Sequence, residues 1–340
     1  MMRIQRLPFK IPAIGLKFLQ PSSCSRKFSM GLRGPIKSIY PEGNSWSYRQ
    51  KNKLLVRGFD PMTETFAPKT SFSSLPWDPN IQAVIDARGF KEPTVMQAQT
   101  WPPIFEGRDT IIVSRTGTGK TFGTLAAMYQ KLLTTEPTGP LPAGKLQSPR
   151  LLILSPRREL VHAIADEAAH FTSACGIKAV TVCGGYVKED LLKTLAEQKG
   201  SDVMIATPPR LNTLIKEGVI DLSRVQHVVL DEGHVLLNIK MRTGTKTTLK
   251  QISNKDVQTI ACGARWNQIS IDTETTILRK RYVLIQKIRD AKDMRGEPTA
   301  RAFKAAAPAK KRRMLARLKL REKIKAQEAE KVTATLSASS

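Results

Sequence analysis

The stretch Ile111-Ile-Val-Ser-Arg-Thr-Gly-Thr-Gly-Lys-Thr121 sets the architecture of this 340-residue chain. A short apolar strand runs into a glycine-broken loop, and Lys120 and Thr121 then open a helix. Such a loop turns its backbone N–H groups inward around a phosphate, and the helix start adds the positive end of its dipole. Lys120 would reach the β/γ-phosphates and the Thr121 hydroxyl would hold Mg²⁺. Ser114 stands where this loop pattern usually carries its first glycine, and it is small enough to be accommodated. Ser114, Arg115, Thr116, Gly117, Thr118, Gly119, Lys120 and Thr121 are therefore the candidate phosphate-binding residues.

On either side of this loop, short apolar strands alternate with helical segments. Thr110–Val113, Leu151–Leu154, Ala179–Val182, Val203–Ile205, His227–Leu230 and Thr259–Cys262 are each about four residues, rich in β-branched side chains and apolar on both faces. Strands buried on both sides and separated by helices predict an α/β fold with a parallel, doubly wound sheet. In such a sheet ligands bind beyond the carboxyl ends of the strands, so motifs collected there share one crevice. Asp231-Glu232 follows the fifth strand. One carboxylate there can hold the Mg²⁺ of a nucleotide while its neighbour orients or deprotonates the attacking water.

The formal net charge is +26 and unevenly spread. Residues 1–41 carry eight Lys/Arg and no acid; residues 279–331 carry nineteen Lys/Arg against six acids, leaving +5 for the rest. Two basic arms on a nearly balanced body point to a polyanionic partner, nucleic acid first. The four cysteines, Cys24, Cys175, Cys183 and Cys262, show no C-x-x-C pair and no metal-ligand spacing, and are expected to be reduced thiols. No apolar run approaches the length of a membrane span, and none is expected.

The acid-free, Arg/Lys/Ser-rich residues 1–41 have the composition of a mitochondrial transit peptide, and the matrix is the expected location. Lys310-Lys-Arg-Arg313 would fit a nuclear signal and keeps that alternative open. Residues 42–70 are polar, contain proline and are expected to be a linker. Residues 71–272 are expected to form the nucleotide-binding domain, and 273–340 a basic helical tail. The tail's first helix is placed at Thr276–Lys292 and its second at about Lys310–Lys331, where Met314, Leu315, Leu318 and Ile324 share one face. A helix so basic suits RNA phosphates, a protein partner or an anionic membrane, with RNA preferred.

Region Phe72–Trp266 resembles the first RecA-like domain of the DEAD-box RNA helicases, in motif order as well as content. Gly89-Phe-Lys-Glu-Pro-Thr-Val-Met-Gln97 resembles the family's adenine-reading Q motif, and Phe72 stands 17 residues before it, where the family keeps an isolated aromatic. The resemblance implies ATP and Mg²⁺ as cofactors, with Phe72, Phe90 and Gln97 at the base. Phe90 can stack or pack beside the adenine, and the Gln97 amide offers both a donor and an acceptor. Pro156-Arg-Arg-Glu-Leu160, Gly184-Gly185 and Thr207-Pro-Pro-Arg210 resemble the segments that hold RNA in the family. They imply RNA contacts from Arg157, Arg158, Gly184, Gly185, Thr207 and Arg210, without base readout.

Several motifs depart from the family. Pro209 replaces a glycine and removes a backbone N–H, a loss that Arg157 would compensate. Asp231-Glu-Gly-His234 keeps the two acids but has His234 for the second aspartate, more as a structural partner than as a metal ligand. Gly263-Ala264-Arg265 stands in place of Ser-Ala-Thr, without either hydroxyl. After Arg265 only 75 residues remain, with no second RecA-like pattern. The expectation is a single-lobed, ATP- and RNA-binding protein without autonomous unwinding, acting on rRNA or mRNA or with the mitochondrial ribosome. The alternatives are an active helicase completed in trans, by a protein partner or by a missing C-terminal half, and a structural RNA-binding protein with a relict pocket.

Overall fold

The computed structural model describes residues 44–58, 66–137, 139–266, 277–279 and 281–288. The expected transit peptide and the second tail helix lie outside them. The elements run α1 (Asn44–Lys51), β1 (Leu54–Arg57), α2 (Pro79–Ala87), α3 (Val95–Phe105), β2 (Thr110–Val113), α4 (Lys120–Thr134), β3 (Leu151–Leu154) and α5 (Arg158–Cys175). Then follow β4 (Ala179–Val182), α6 (Lys188–Glu197), β5 (Val203–Ala206), α7 (Pro208–Lys216), β6 (His227–Leu230), α8 (Gly233–Leu236), α9 (Arg242–Lys250), β7 (Gln258–Gly263) and β8 (Val283–Lys287). The strands form one sheet in the order β1-β8-β2-β7-β6-β3-β5-β4. Every pairing is parallel except that of β1 with β8.

The period-2 alternation of strand side chains divides the core into two layers. Ile112, Ile153, Ile205, Val229 and Ile260 pack with α2–α5 on one face. Ile111, Val113, Leu152, Leu154, Met204 and Val228 pack with residues of α6–α8 on the other. A sheet covered on both faces is the doubly wound arrangement that uninterrupted apolar strands call for.

Two expectations fail, both at the β1–β8 edge. Residues 42–70 are not simply a linker, because they contribute α1 and β1, and β1 becomes the antiparallel edge strand. The described residues of the helix expected over Thr276–Lys292 are not helical, and they include β8, with Val283 and Ile285 fully buried. Tyr-Val-Leu-Ile is a β-branched and aromatic run suited to a pleated, half-buried surface, and the flanking cations masked it. The sheet thus extends past the expected 71–272 boundary on both sides.

Asp109, 2 % exposed, locks β8 to the phosphate-loop strand. Its Oδ1 accepts from Thr259 N at 3.0 Å and from Arg279 Nε and Nη2 at 2.9 and 2.7 Å; its Oδ2 accepts from Arg279 N at 2.7 Å. Asp109→Asn keeps the shape but turns an amide N–H toward these donors. It is expected to cost about 2 kcal/mol in urea unfolding, in line with loss of charge-assisted hydrogen bonds.

Candidate nucleotide and polyanion site

The loop between β2 and α4 is held from both ends. Ser114 N donates to Gly263 O at 3.1 Å, tying the loop to the end of β7. Gly117 and Gly119 take left-handed φ values of +77° and +78°, which non-glycine residues adopt only with strain. Lys120 Nζ donates to Ser114 O at 2.7 Å and Arg115 O at 2.6 Å, so the loop closes over its own lysine. The hydroxyls of Ser114 and Thr118 are 2.7 Å apart. Arg115 and Thr116 are exposed at the loop tip. Burial pushes the Lys120 ammonium below its ordinary pKa, opposed by Cys262, Glu232 and Asp231.

Gln97, 4 % exposed, lies flat against the start of α4. A Cβ on Gly119 would come within 2.6 Å of Gln97 Nε2, and one on Gly123 within 2.7 Å of Gln97 Cγ. Its Oε1 accepts from Thr94 N at 2.8 Å and its Nε2 donates to Gly119 O at 3.0 Å. Gln97 therefore joins the cap of α3 to the phosphate loop, with one amide hydrogen left for a ligand. Thr94, absent from the sequence-based candidates, strengthens this joint, its Oγ1 donating to Thr118 O at 2.9 Å. The Thr-x-x-Gln capping box was its sequence signal. Phe90 is 43 % exposed and meets Phe122 edge-on at 4.9 Å. Phe72 is 6 % exposed and belongs to the core, its ring tilted over Trp101 at 5.7 Å.

Asp231 and Glu232 follow β6, beside the loop. Asp231 Oδ2 accepts from Ser155 Oγ at 3.2 Å, a contact that no motif spacing announced. Burial, and then the Glu232 charge, push the Asp231 carboxyl up to about 6. Glu232 sits in the left-handed region (φ +46°), a strained backbone of the kind that clusters at functional sites. His234 Nδ1 lies 3.2 Å from Glu232 Oε2, not aligned as a hydrogen bond. A Cβ on Gly263 would come within 3.0 Å of the same His234 Nδ1. The histidine and the missing serine therefore make one steric pair.

These residues fit a magnesium nucleotide. The left-handed glycines form the cradle, a half-buried ammonium meets two loop carbonyls among the described residues, and Thr121 and Asp231 line the same small cavity. A divalent cation there would relieve the carboxylate that burial disfavours.

A second cavity of about 400 Å³ opens at the tips of β3, β4 and β5, lined by Pro156, Arg158, Gly184, Thr207, Pro209 and Arg210. Among the described residues, the Nε and Nη2 atoms of Arg210 are buried without a hydrogen-bond partner. Thr207 makes no capping hydrogen bond to α7. Pro208 and Pro209 open α7, so the helix start presents few N–H groups, and Arg158 and Arg210 supply the guanidinium donors of the cavity. Gly185 has φ +94°, and a Cβ there would collide with Arg158 Nη1. The arginine thus lies directly over the glycine backbone. Arg157 is exposed at the start of α5 and does not line the cavity, so its expected compensation for Pro209 is not seen; the unpartnered Arg210 guanidinium is the available group.

The DEAD/DEAH box helicase profile matches residues 94–271. ATP-dependent RNA helicase DBP3 of Candida glabrata is 32 % identical over 243 residues, 72 % of this chain and 42 % of that protein. DEAD-box ATP-dependent RNA helicase 14 of Arabidopsis thaliana is 29 % identical over 244 residues, 72 % and 37 %. The crystal structure of the RNA-helicase Prp28 from Chaetomium thermophilum bound to ADP superposes with a TM-score of 0.62 at 23 % identity, covering 75 % of this chain and 59 % of that one. The chain thus spans about two fifths of the length of these curated relatives. With the motif order, the parallel sheet and the profile in agreement, this chain belongs to the DEAD/DEAH box helicase family.

Proposed function

We propose that this chain binds ATP with Mg²⁺ at the loop following β2, and the backbone of single-stranded RNA in the cavity lined by Arg158 and Arg210. The observation that carries the reading is the Arg210 guanidinium, with two nitrogens buried and, among the described residues, unpartnered, in an open cavity at the tips of β3, β4 and β5. Buried donors without partners are rare in native folds, and a phosphate oxygen is the acceptor that suits them. Bound ATP supplies the anhydride, and Mg²⁺ neutralises charge during phosphoryl transfer. On the protein side, Lys120 binds phosphate, Asp231 and Thr121 hold the cation, and a Glu232 carboxylate oxygen orients water or takes its proton.

The Gly263-Ala264-Arg265 segment lacks the hydroxyls expected from the family pattern, which supports slow hydrolysis poorly coupled to RNA. The chain would then act in mitochondrial RNA metabolism, translation or ribosome assembly, a location supported by the acid-free N-terminus. Import of a fusion carrying residues 1–41 into isolated mitochondria tests that location. Fluorescence anisotropy with a single-stranded RNA across a salt series tests the RNA site. Arg210→Ala is expected to weaken binding about tenfold and lower the salt slope by about one. An intact chain that ignores RNA at low salt overturns the proposal, and robust RNA-stimulated ATP turnover overturns the uncoupled reading. Such turnover would favour the second reading, an active ATP-dependent helicase completed by a partner lobe. The intact set Lys120, Thr121, Asp231 and Glu232 supports that alternative.

A further inference from the structure

Among the described residues two aromatic rings stand exposed. Phe90 lies beside the nucleotide loop, and Tyr186, 50 % exposed, follows the glycine pair that walls the cation-lined cavity. Tyr186 is in the turn joining β4 to α6, two residues beyond Gly184. Its hydroxyl is 3.1 Å from His162 Nε2 on α5, and the two rings meet edge to face at 6.0 Å. The next residue, Val187, is 61 % exposed. The ring is thus held at its polar end while half of the residue's surface stays open to solvent. An exposed aliphatic neighbour extends that apolar surface, and Arg158 and Arg210 lie across the adjoining cavity.

We infer that Tyr186 is a stacking platform for one nucleobase of a single-stranded RNA whose backbone phosphate occupies the Arg158–Arg210 cavity. The inference rests on the RNA reading above and adds a base contact to it. Single-stranded polynucleotides are held by a cationic groove tracking the backbone together with aromatic faces on which bases stack, and that stacking tolerates any sequence. A tyrosine loses little conformational freedom on binding, and the His162 contact restricts this one beforehand. The chemistry selects unpaired RNA, because a base inside a duplex has no free face to offer the ring.

The test compares two labelled oligomers of equal length with the intact chain: a mixed-sequence single-stranded RNA and its abasic ribose-phosphate counterpart. Tyr186→Ala is expected to weaken the base-bearing oligomer about tenfold and leave the abasic one and the salt slope unchanged. Tyr186→Phe keeps the ring and is expected to stay within about threefold of the wild type. A 2-aminopurine in the RNA is quenched by the wild type and not by Tyr186→Ala. Arg210→Ala weakens both oligomers. The inference is overturned if Tyr186→Ala binds base-bearing RNA like the wild type, or weakens both oligomers equally. Wild-type protein that binds neither oligomer overturns the RNA reading, and this inference with it.

Discussion

Lys120→Ala is expected to reduce Mg²⁺–ATP affinity by about a hundredfold, the loss of charge-assisted hydrogen bonds to phosphate from a partly desolvated ammonium. Among the described residues Nζ is bound to two loop carbonyls, Ser114 O and Arg115 O, and a nucleotide phosphate offers it stronger, charged acceptors. The Arg115 carbonyl is at the exposed loop tip and returns to water when the side chain is removed, whereas Ser114 is buried and its carbonyl loses a part-buried hydrogen bond. Folding stability should therefore fall by only about 1 kcal/mol, the loss of one part-buried hydrogen bond. Isothermal calorimetry with ATP and Mg²⁺, beside thermal unfolding without them, separates the two effects. Retained affinity in Lys120→Ala would remove the phosphate loop from the binding account. RNA binding by the same variant without nucleotide should match the wild type, since Lys120 is not among the residues lining the second cavity.

The fold was legible wherever one local signal was enough. Four of the six expected strands appear with the expected bounds, Val203–Ala206 is one residue longer at its end and Gln258–Gly263 one residue longer at each end, because parallel strands buried on both faces are unbroken apolar runs. β8 was not legible, because lysines and arginines surround its three apolar residues and the pairing that recruits it comes from Asp109, 170 residues away from Arg279 in sequence. The site divides in the same way. Lys120, Asp231 and Gln97 follow from motif spacing, but Gln97's packing against Gly119 and Gly123 is a contact between elements. Likewise His234 and Gly263 read as two separate departures from the family pattern. Only their spatial approach shows that the histidine ring occupies space a serine side chain would need. Arg210 was legible as a cation, but its lack of a protein partner was not.

Asp231→Asn should stabilise the metal-free protein while reducing ATP hydrolysis by at least a hundredfold, since a neutral amide cannot hold the cation that phosphoryl transfer requires. The stability effect follows from the raised carboxyl. Asp231 titrates near 6 in the folded protein, against about 3.9 in an unfolded chain. Below about pH 4 both states carry the proton, and the wild type bears no ionisation penalty relative to the variant. Between about 4 and 6 the unfolded carboxyl has already ionised while the folded one keeps its proton, so folding takes up a proton and loses free energy as pH rises. Above about 6 the penalty is complete, about 2–3 kcal/mol for a shift of this size. The advantage of Asp231→Asn should thus be near zero at the acid end, grow through that window and level off above it. The Ser155 hydroxyl can still donate to the amide oxygen, which limits any offsetting loss. Thermal unfolding of both proteins in chelator from pH 4 to 8 reads the difference directly. A gap that does not vary with pH would show that burial does not disfavour the Asp231 charge. Adding Mg²⁺ and ATP should then stabilise the wild type at neutral pH and leave the variant almost unmoved, because only the wild type has a carboxylate whose buried charge a cation can neutralise.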